Sequence, residues 1–319
     1  MMKAVWLAEF GGPEMLVAAD APDPVPGPEQ ALIEVAFANI TFVETMFRAS
    51  GFGPFETELP MIPGNGVGGV VALVGVEADE RLIGKRVVAS TGSSGGYAER
   101  AAVDTGGLVE VPEGLELDSA VALLADGRTA IMLVRKAGLR EGERVLVEAA
   151  AGGVGTLLVQ LARAAGARVV AAAGGACKVE VARGIGVEVA VDYREPGWAE
   201  RVSEAVGAVD VVFDGVGGDV GESAFGLLDR GGRMVRFGMA SGEWARISDE
   251  AAAGRWVELI GLSRLAPEET RAFTEDALAK VAAGRLRPVI GQIFPLDRAA
   301  DAHAAIESRA TVGKTLLVT

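Results

Sequence analysis

The chain has 319 residues, more than a single hydrophobic core usually holds, so two domains are expected. Its 44 acidic and 30 basic side chains leave a net charge of −14, which disfavours nucleic acid and anionic lipid and favours a small-molecule substrate. The longest uncharged run, residues 59–76, contains Pro60 and Pro63 and cannot form a membrane helix. Because the N-terminus lacks a secretory signal and the chain has a single cysteine, Cys177, a cytoplasmic protein without disulfides is expected.

The first 118 residues predict short strands separated by proline and glycine clusters. Strands are predicted over residues 31–36, 67–76, 86–89 and 108–111. Turn-forming segments such as Pro22-Asp-Pro-Val-Pro-Gly-Pro28 lie between them. This texture is typical of a small, irregular, strand-rich domain.

After Asp118, which is predicted to cap a helix that starts at Ser119, strands alternate with helices. The predicted strands cover residues 145–148, 168–172, 187–192, 210–214 and 233–237. Such alternation predicts a doubly wound parallel sheet. Beyond residue 261 follow a helix over 268–283 and a strand-like tail over 313–319, too short to fold alone and expected to return to the first domain. The predicted divisions are therefore 1–118, 119–261 and 262–319.

The strongest signal lies between Arg144 and Arg163, where an apolar strand leads through a glycine turn into an amphipathic helix. Hydrophobic residues recur at helical spacing in Val154, Leu157, Leu158 and Leu161. Gly152 and Gly155 lack a Cβ, which permits a tight turn and lets a diphosphate approach the free N–H groups and positive end of the helix. This strand, turn and helix predict a dinucleotide site; the alternative is a ligand-free turn.

The next predicted strand bears on the choice of dinucleotide. It runs through Val-Ala-Ala-Ala-Gly-Gly-Ala-Cys-Lys, residues 170–178, with no carboxylate before Glu180. Domains specific for NAD place an acidic side chain about twenty residues beyond the glycines, to bind the ribose hydroxyls. Here small residues leave room for a 2′-phosphate, Lys178 offers an ammonium group, and Tyr193 can donate a hydrogen bond. NADPH is therefore predicted over NADH; the alternative is that Lys178 is an exposed lysine at a helix start.

Motifs in a consistent order connect the whole chain to a known family. They are Lys3-Ala-Val, Phe10-Gly-Gly-Pro-Glu, Pro26-Gly-Pro, Pro63-Gly, Gly95-Gly-Tyr-Ala-Glu, Thr129-Ala, Ala149-Ala-Ala-Gly-Gly-Val-Gly, Asp192-Tyr, Phe213-Asp-Gly-Val-Gly-Gly, Gly231-Gly-Arg, Phe237-Gly, Glu307-Ser-Arg and Gly313-Lys. The chain resembles the zinc-independent quinone oxidoreductases of the medium-chain dehydrogenase/reductase superfamily. The resemblance implies an α/β fold in which a GroES-like, β-rich catalytic domain, built from both chain ends, carries an inserted Rossmann domain.

The resemblance also implies which residues contact the cofactor. Quinone oxidoreductases of this type bind the 2′-phosphate with a lysine and a tyrosine that match Lys178 and Tyr193. Thr129, in a Thr-Ala pair placed at a helix start, resembles the contact on the nicotinamide side. The other implied cofactor residues lie in the matching motifs or, for Gly174, in the segment 170–178: Ala151, Gly152, Gly153, Val154, Gly155, Gly174, Val216, Phe237, Gly238 and Lys314.

The residues that face the acceptor are harder to predict. In the family a polar residue, often Asn, faces the nicotinamide, and without gaps it aligns with Thr41; the tyrosine that some members carry five residues later is Met46. Thr41 is either a substrate-facing residue or a β-branched residue at a strand end. Arg48 and Arg128 are candidate partners for a developing oxyanion, with surface ion pairs as the alternative. The sequence names no general acid.

No metal site is predicted. Zinc-dependent relatives hold the catalytic metal with cysteine, histidine and carboxylate ligands, and many add a structural zinc on four cysteines. This chain has one Cys and one His, and the position that resembles the Gly-His-Glu of the zinc enzymes reads Gly64-Asn65-Gly66. His303 is expected to be solvated or packed on a helix, and Cys177 to be a spectator.

The resulting hypothesis is an NADPH-dependent reductase that passes hydride to a quinone-like, electron-poor acceptor without a metal. One alternative is reduction of an α,β-unsaturated carbonyl, such as an enone, enal or enoyl thioester; another is a non-catalytic NADPH-binding protein, as crystallin relatives of this family are. The acceptor pocket is expected to involve loops 51–58 and 241–253. A homodimer is expected, with the strand at residues 257–261 and the segment after it as the candidate interface; the alternative is that they only complete the sheet of the monomer.

Overall fold

The computed structural model describes residues 1–55 and 58–319, and contacts within the chain divide it into two compact units. The first unit consists of Met1–Arg128 and Ala266–Thr319, and the second of Thr129–Leu265. The sequence-based limits at residues 118 and 261 stay predictions of where the domains begin and end. Within the described ranges, no helix is both long enough and apolar enough to cross a bilayer.

The secondary structure of the described residues follows in chain order. The strands are β1 (Met2–Leu7), β2 (Leu16–Ala21), β3 (Gln30–Asn39), β4 (Gly66–Val74), β5 (Arg86–Ser90), β6 (Arg100–Asp104), β7 (Val109–Glu110), β8 (Arg144–Val147), β9 (Arg168–Ala173), β10 (Val189–Asp192), β11 (Val209–Asp214), β12 (Leu228–Arg236), β13 (Glu258–Gly261), β14 (Ile290–Pro295) and β15 (Lys314–Val318). The α-helices are α1 (Phe42–Ser50), α2 (Leu117–Ala137), α3 (Gly153–Ala164), α4 (Ala176–Gly184), α5 (Trp198–Val206), α6 (Gly218–Leu227), α7 (Asp249–Arg255), α8 (Pro267–Ala282) and α9 (Ala299–Glu307).

The first unit is built on a mostly antiparallel sheet with the strand order β14, β15, β3, β4, β5, β7, in which β6 also pairs with β3. Strand β15 lies beside β3, with Leu316 opposite Asn39 and Leu317 opposite Ala38. The C-terminal strand is therefore part of the sheet that the N-terminal residues form. Its buried core includes Leu7, Ile33, Val67, Val87, Tyr97 and Leu317.

The second unit is a parallel sheet with the strand order β10, β9, β8, β11, β12, β13. Its central strands are mostly apolar, because helices cover both faces of such a sheet; Val145, Leu146 and Val147 in β8 are fully buried. The order reverses between β8 and β11, so the carboxyl ends of these two strands lie side by side at a topological switch point, where ligands bind in such sheets.

Two sequence-based helix starts are wrong. Helix α2 begins at Leu117, so Asp118 is its second residue and not its cap, although its carboxylate still accepts from the N–H of Ser119. A first-turn aspartate and a capping aspartate look alike in sequence because both satisfy free N–H groups at a helix start. Thr129 lies in the interior of α2 and not at a helix start. The strands β1, β2 and β6 were not predicted, since β1 and β2 depend on pairing with each other and β6 depends on pairing with β3.

Candidate functional site

The turn between β8 and α3 presents unpaired backbone N–H groups. Gly152 is the N-terminal capping residue of α3, with φ −82° and ψ 171°, and no side chain caps the helix. Its own N–H donates to the carbonyl of Ala149 at 2.8 Å, which closes the turn. The first turn of α3 therefore keeps its N–H groups and its positive dipole end for an external acceptor, an arrangement suited to a diphosphate.

The two glycines of this turn differ in how much space a side chain would have. A Cβ at Gly155 would lie 2.2 Å from the carbonyl oxygen of Ala149, so the helix packs against the turn with no space for a side chain. A Cβ at Gly152 would meet the same oxygen at 3.2 Å, a contact that a small shift relieves. Gly155 is thus required by the fold, whereas a side chain at Gly152 acts mainly on whatever approaches the helix start.

Three residues that suit a phosphate, Lys178, Tyr193 and Arg194, lie at or near the loop after β9. Gly174 lies against Tyr193, since a Cβ at Gly174 would be 2.9 Å from the tyrosine hydroxyl oxygen. Gly175 has φ 107° and lies under the guanidinium of Arg194, 2.0 Å from where its Cβ would stand. Lys178 is half-buried in the first turn of α4. Sequence reasoning named Lys178 and Tyr193 but missed Arg194, although it directly follows Tyr193 at the end of β10.

A second turn, after β11, is organised by Asp214. One carboxylate oxygen, Oδ1, accepts from the N–H groups of Val216 at 3.1 Å and Gly217 at 2.7 Å. The main-chain oxygen of Asp214 accepts from the N–H groups of Phe237 and Gly238, at 2.9 and 3.3 Å. Asp214 thus joins the segments after β11 and β12, which contain three of the predicted cofactor residues. These segments and the turn after β8 lie at the same edge of one sheet.

In the first unit, Thr41 is the N-terminal capping residue of α1 and forms a capping box with Glu44. The Thr41 N–H and hydroxyl both reach Glu44 Oε2, at 2.7 and 2.8 Å. Asn65 donates its main-chain N–H to Glu44 Oε1 and its amide to Thr41 Oγ1, each at 3.1 Å, and accepts from Asn39 Nδ2 at 2.6 Å. Asn65, at the position that resembles the zinc enzymes' histidine, therefore holds Thr41 and Glu44 in place.

Three buried groups in and beside this network, Glu44, Tyr97 and His303, have shifted pKa values. Burial raises the pKa of Glu44 to about 7, although the hydrogen bonds from Thr41 and Asn65 and the charge of Lys314 lower it. The Tyr97 hydroxyl lies 3.0 Å from His303 Nε2, and burial together with the Glu44 carboxyl raises the pKa of Tyr97 well above its ordinary value. Burial and the charge of Arg48 lower the pKa of His303 to about 3, so this imidazole is neutral.

Of the three other cations that sequence reasoning singled out in this unit, two are committed to partners. Arg48 is 2% exposed and donates to Glu307 and to the carbonyl of Gly11, so the ion pair considered for it is present, with a buried guanidinium and a half-buried carboxylate. Lys314 forms a buried ion pair with Asp126 at 3.0 Å. Arg128 is half-buried, and the structure gives its guanidinium no hydrogen-bond acceptor among the described residues.

The possible metal ligands are dispersed. Residues 1–55 and 58–319 contain no group of three His, Cys, Asp or Glu side chains that could hold a metal ion. His303 is buried against Tyr97, which excludes the solvated alternative for it, and Cys177 is exposed on α4 in the second unit. Of the loops expected to shape an acceptor pocket, 51–58 includes residues 56 and 57, which lie outside the described residues.

Comparison with known proteins identifies the family. An alcohol dehydrogenase GroES-like domain matches residues 27–113, and a zinc-binding dehydrogenase family matches residues 185–317. The chain is 32% identical to a quinone oxidoreductase of Pseudomonas aeruginosa, with 100% of both chains covered, and 36% identical to a probable quinone oxidoreductase of Schizosaccharomyces pombe, with 98% of this chain and 96% of the relative covered. The chain belongs to the quinone oxidoreductase family.

Solved structures of similar proteins agree with this. A mycobacterial protein complexed with NADPH has a TM-score of 0.91 at 31% identity, covering 100% of both chains. The quinone oxidoreductase of Escherichia coli complexed with NADPH also has a TM-score of 0.91, at 29% identity, covering 99% of this chain and 100% of that one. The α/β fold with a GroES-like domain and a Rossmann-like parallel sheet, implied by the sequence resemblance, is therefore confirmed.

Sequence reasoning about this quinone oxidoreductase family member missed Glu44, Glu148, Arg194 and Asp214 as candidate site residues. It noted Asn65 only as the residue that replaces the zinc ligand, and missed its hydrogen bonds to Glu44 and Thr41. Glu44 had one available signal, since Thr41 and Glu44 have the spacing of a capping box. The others become visible when strands distant in sequence are placed side by side.

The raised pKa of Glu44 makes stability depend on pH. The folded pKa of Glu44, about 7, exceeds the ordinary 4.5. The contribution that this group makes to the free energy of unfolding is therefore fully present at low pH and is lost as pH rises through 7. Glu44→Gln keeps an acceptor oxygen at this position of the helix but cannot ionise. Relative to wild type, the free energy of unfolding of the variant should increase by about 3 kcal/mol between about pH 4 and about pH 8. Urea unfolding at a series of pH values measures this difference.

The matched control is Glu34→Gln, which makes the same substitution at an exposed glutamate in β3 and should not reproduce the increase expected for Glu44→Gln. A constant difference for Glu44→Gln would mean that the folded pKa of Glu44 is not raised.

Proposed function

We propose that this chain is an NADPH-dependent reductase that passes hydride to a quinone-like, electron-poor acceptor without a bound metal. The observation that carries the proposal is the arrangement at one edge of the parallel sheet, where an uncapped helix start and a loop with two cations lie at the carboxyl ends of neighbouring strands. Family relatives over the full chain are named quinone oxidoreductases, and two similar structures contain NADPH.

The residues of the second unit fit NADPH. The N–H groups at the start of α3, from Gly153 to Gly155, would hold the diphosphate beside the turn of Ala151 and Gly152. Lys178, Tyr193 and Arg194, around the small residue Gly174, would hold the 2′-phosphate. The nicotinamide half is assigned to Thr129, Val216, Phe237 and Gly238. When bound, NADPH supplies the hydride, and the protein supplies position and exclusion of water.

Lys314 was predicted to contact the cofactor directly. Its ammonium is paired with Asp126, and its charge lowers the proton affinity of Glu44. We therefore assign Lys314 to the support of the Thr41 network, while a direct contact remains the sequence-based prediction.

On the acceptor side, we assign the proton to Thr41 and Glu44. Thr41 is half-buried, and its hydroxyl oxygen lies 2.8 Å from Glu44 Oε2, so the hydroxyl can donate outward while the carboxyl returns a proton to it. A carboxyl group with a pKa of about 7 is protonated in a useful fraction of molecules at neutral pH. Proton transfer by these residues replaces the charge stabilisation that zinc supplies in metal-dependent relatives.

Steady-state oxidation of NADPH against a panel of quinones and α,β-unsaturated carbonyls tests this function. We expect turnover with quinones that chelator treatment does not change, because the described residues contain no ligand set for a metal. Turnover with enones alone would favour the enoyl reductase alternative. NADPH binding without turnover of any acceptor would indicate a crystallin-like binding protein, and stoichiometric zinc lost together with activity would contradict metal independence.

We also propose a homodimer that pairs through β13, the edge strand of the second unit's sheet. Leu262, directly after this strand, is 50% exposed, and Trp256, shortly before it, is 71% exposed. Light scattering should give twice the chain mass of 32.7 kDa, and a monomer at micromolar concentration would contradict the proposal. The cytoplasmic location stays a prediction from the sequence.

Cofactor preference follows from the loop after β9. A charge-assisted contact to phosphate contributes roughly 1.5 to 3 kcal/mol, so Lys178→Ala should weaken NADPH binding by roughly 10- to 150-fold and barely change NADH binding. Arg194→Ala should act in the same direction, because its guanidinium lies over the same glycine. Fluorescence titration with both dinucleotides measures the effect.

Arg183→Ala is the matched control, since it removes an exposed cation from the last turn of the same helix, α4. Equal losses for NADPH and NADH, or a wild-type preference for NADH, would show that this loop does not bind the 2′-phosphate.

Valine substitutions at the two glycines of the diphosphate turn should distinguish an effect on NADPH affinity from an effect on stability. Gly152→Val adds a side chain at the helix start with a contact of 3.2 Å to relieve, so NADPH affinity should fall while the thermal transition stays near wild type. Gly155→Val forces the backbone apart at a 2.2 Å contact, so the transition itself should move by several degrees or more. Wild-type NADPH affinity in Gly152→Val would place the diphosphate elsewhere.

A further inference from the structure

Two carboxyl groups meet in the interior of the second unit. Glu148 directly follows β8 and Asp214 ends β11, and the pairing of Val147 with Phe213 makes them the next neighbours across the two strands. The N–H of Glu148 donates to the carbonyl of Phe213 at 3.0 Å, which extends the pairing to this position. Both residues are 0% exposed. The pair lies at the switch point of the sheet, where the predicted cofactor segments converge.

The oxygens of the pair are unevenly supplied with hydrogen-bond donors. Asp214 Oδ1 accepts two N–H groups, so the acceptor left over on this side chain is Oδ2. Asp214 Oδ2 and both side-chain oxygens of Glu148 have no hydrogen-bond partner among the described residues, and the backbone donor that faces Glu148 is the N–H of Val216. A proton on Glu148 placed between the two groups satisfies Oδ2 and removes one of two adjacent buried charges. In agreement, burial and the Asp214 carboxylate raise the pKa of Glu148 well above its ordinary value.

Among residues 1–55 and 58–319, no ion pair offsets these charges. The charged group that faces Glu148 from β11 is Asp214, and the segment after β11 contributes the N–H of Val216. Helix α6 places Gly221 beside Asp214 Oδ2, and the segment before α7 places Ala245 there. No lysine or arginine of the part of the chain that the structure describes forms an ion pair with either carboxyl group. Two ionised carboxylates would therefore repel each other at full strength in a low dielectric.

We propose that Glu148 carries a proton, donates it in a hydrogen bond to Asp214 Oδ2, and thereby sets the positions of the turns that hold the dinucleotide. The inference rests on the proposed function, because it concerns the NADPH site. Glu148 acts as a positioning residue: it leads directly into the turn before α3, while Asp214 holds Val216 and Gly217 with its side chain and Phe237 and Gly238 with its main chain.

Loss of the proton acts on the site in two ways. The pair then carries two negative charges, which push the ends of β8 and β11 apart and disturb both turns. The added charge also lies close to the turn where a diphosphate binds, which opposes an anionic ligand. Dinucleotide affinity should therefore fall as pH rises and the shared proton dissociates.

Dinucleotide binding at a series of pH values, with Glu148→Gln as the decisive variant, tests the proposal. The amide of glutamine can still donate to Asp214 Oδ2 but has no proton to lose. Between about pH 6 and about pH 10, the wild-type dissociation constant for NADPH should rise by about 10-fold or more relative to that of Glu148→Gln. The 2′-phosphate is the same in both measurements and the two proteins differ only at residue 148, so the ratio of the two constants isolates that residue. The same ratio should be obtained with NADH.

Glu148→Leu and Glu180→Gln complete the set. Glu148→Leu fills a similar volume without a donor and should weaken binding at every pH, which separates hydrogen bonding from packing. Glu180→Gln, an exposed glutamate on α4, should follow the wild-type pH profile. If the ratio of the NADPH dissociation constants of wild type and Glu148→Gln stays constant across the pH range, the proposal is overturned.

Unfolding without ligand keeps the test independent of cofactor binding. Because the folded pKa of Glu148 is raised, its contribution to the free energy of unfolding is present at low pH and is lost as pH rises. Glu148→Gln cannot ionise and does not show this loss. The stability advantage of Glu148→Gln should therefore grow with pH. If no NADPH binds at any pH, the proposed function fails while this series still reports on the shared proton; an advantage that does not grow with pH would refute the shared proton itself.

Discussion

The reversal of strand order between β8 and β11 is the constraint on which the second unit depends. In a parallel sheet that reverses at one point, the connections leave on opposite faces and the carboxyl ends of the two central strands stay open. The turn before α3, the turn held by Asp214 and the segment after β12 all gather at this edge. A ligand bound there meets backbone N–H groups from rigid elements.

At several positions around these turns, the backbone of a glycine lies against a neighbouring segment with no space for a side chain. A Cβ at Gly155 would lie 2.2 Å from the carbonyl oxygen of Ala149, and one at Gly238 would lie 2.7 Å from that of Gly215. At Gly174 the neighbour is the hydroxyl of Tyr193 at 2.9 Å. In each case the absence of a side chain lets two segments touch, so the glycines set the distances between binding elements as well as the shapes of individual turns.

Two buried glutamates show how local hydrogen bonding determines protonation. Glu44 is buried but accepts hydrogen bonds from Thr41 and Asn65 and feels the charge of Lys314, so its pKa rises only to about 7. Glu148 is equally buried and faces another carboxyl group, and burial together with Asp214 raises its pKa well above the ordinary value. The first suits a group that exchanges a proton near neutral pH, and the second a group that keeps one for structural reasons.

The sequence by itself determined the parts of this protein that depend on local order. The glycine turn at Gly152, the lack of a carboxylate before Glu180, the alternation of strands and helices and the family membership were all readable, because backbone conformation and hydrophobic spacing act over a few residues. Only the tertiary structure decided how distant residues meet: Arg194 over Gly175, Arg48 with Glu307, Asn65 with Thr41, and Glu148 with Asp214. Burial and neighbouring charge set the proton affinity of such groups, and both depend on segments far apart in the chain.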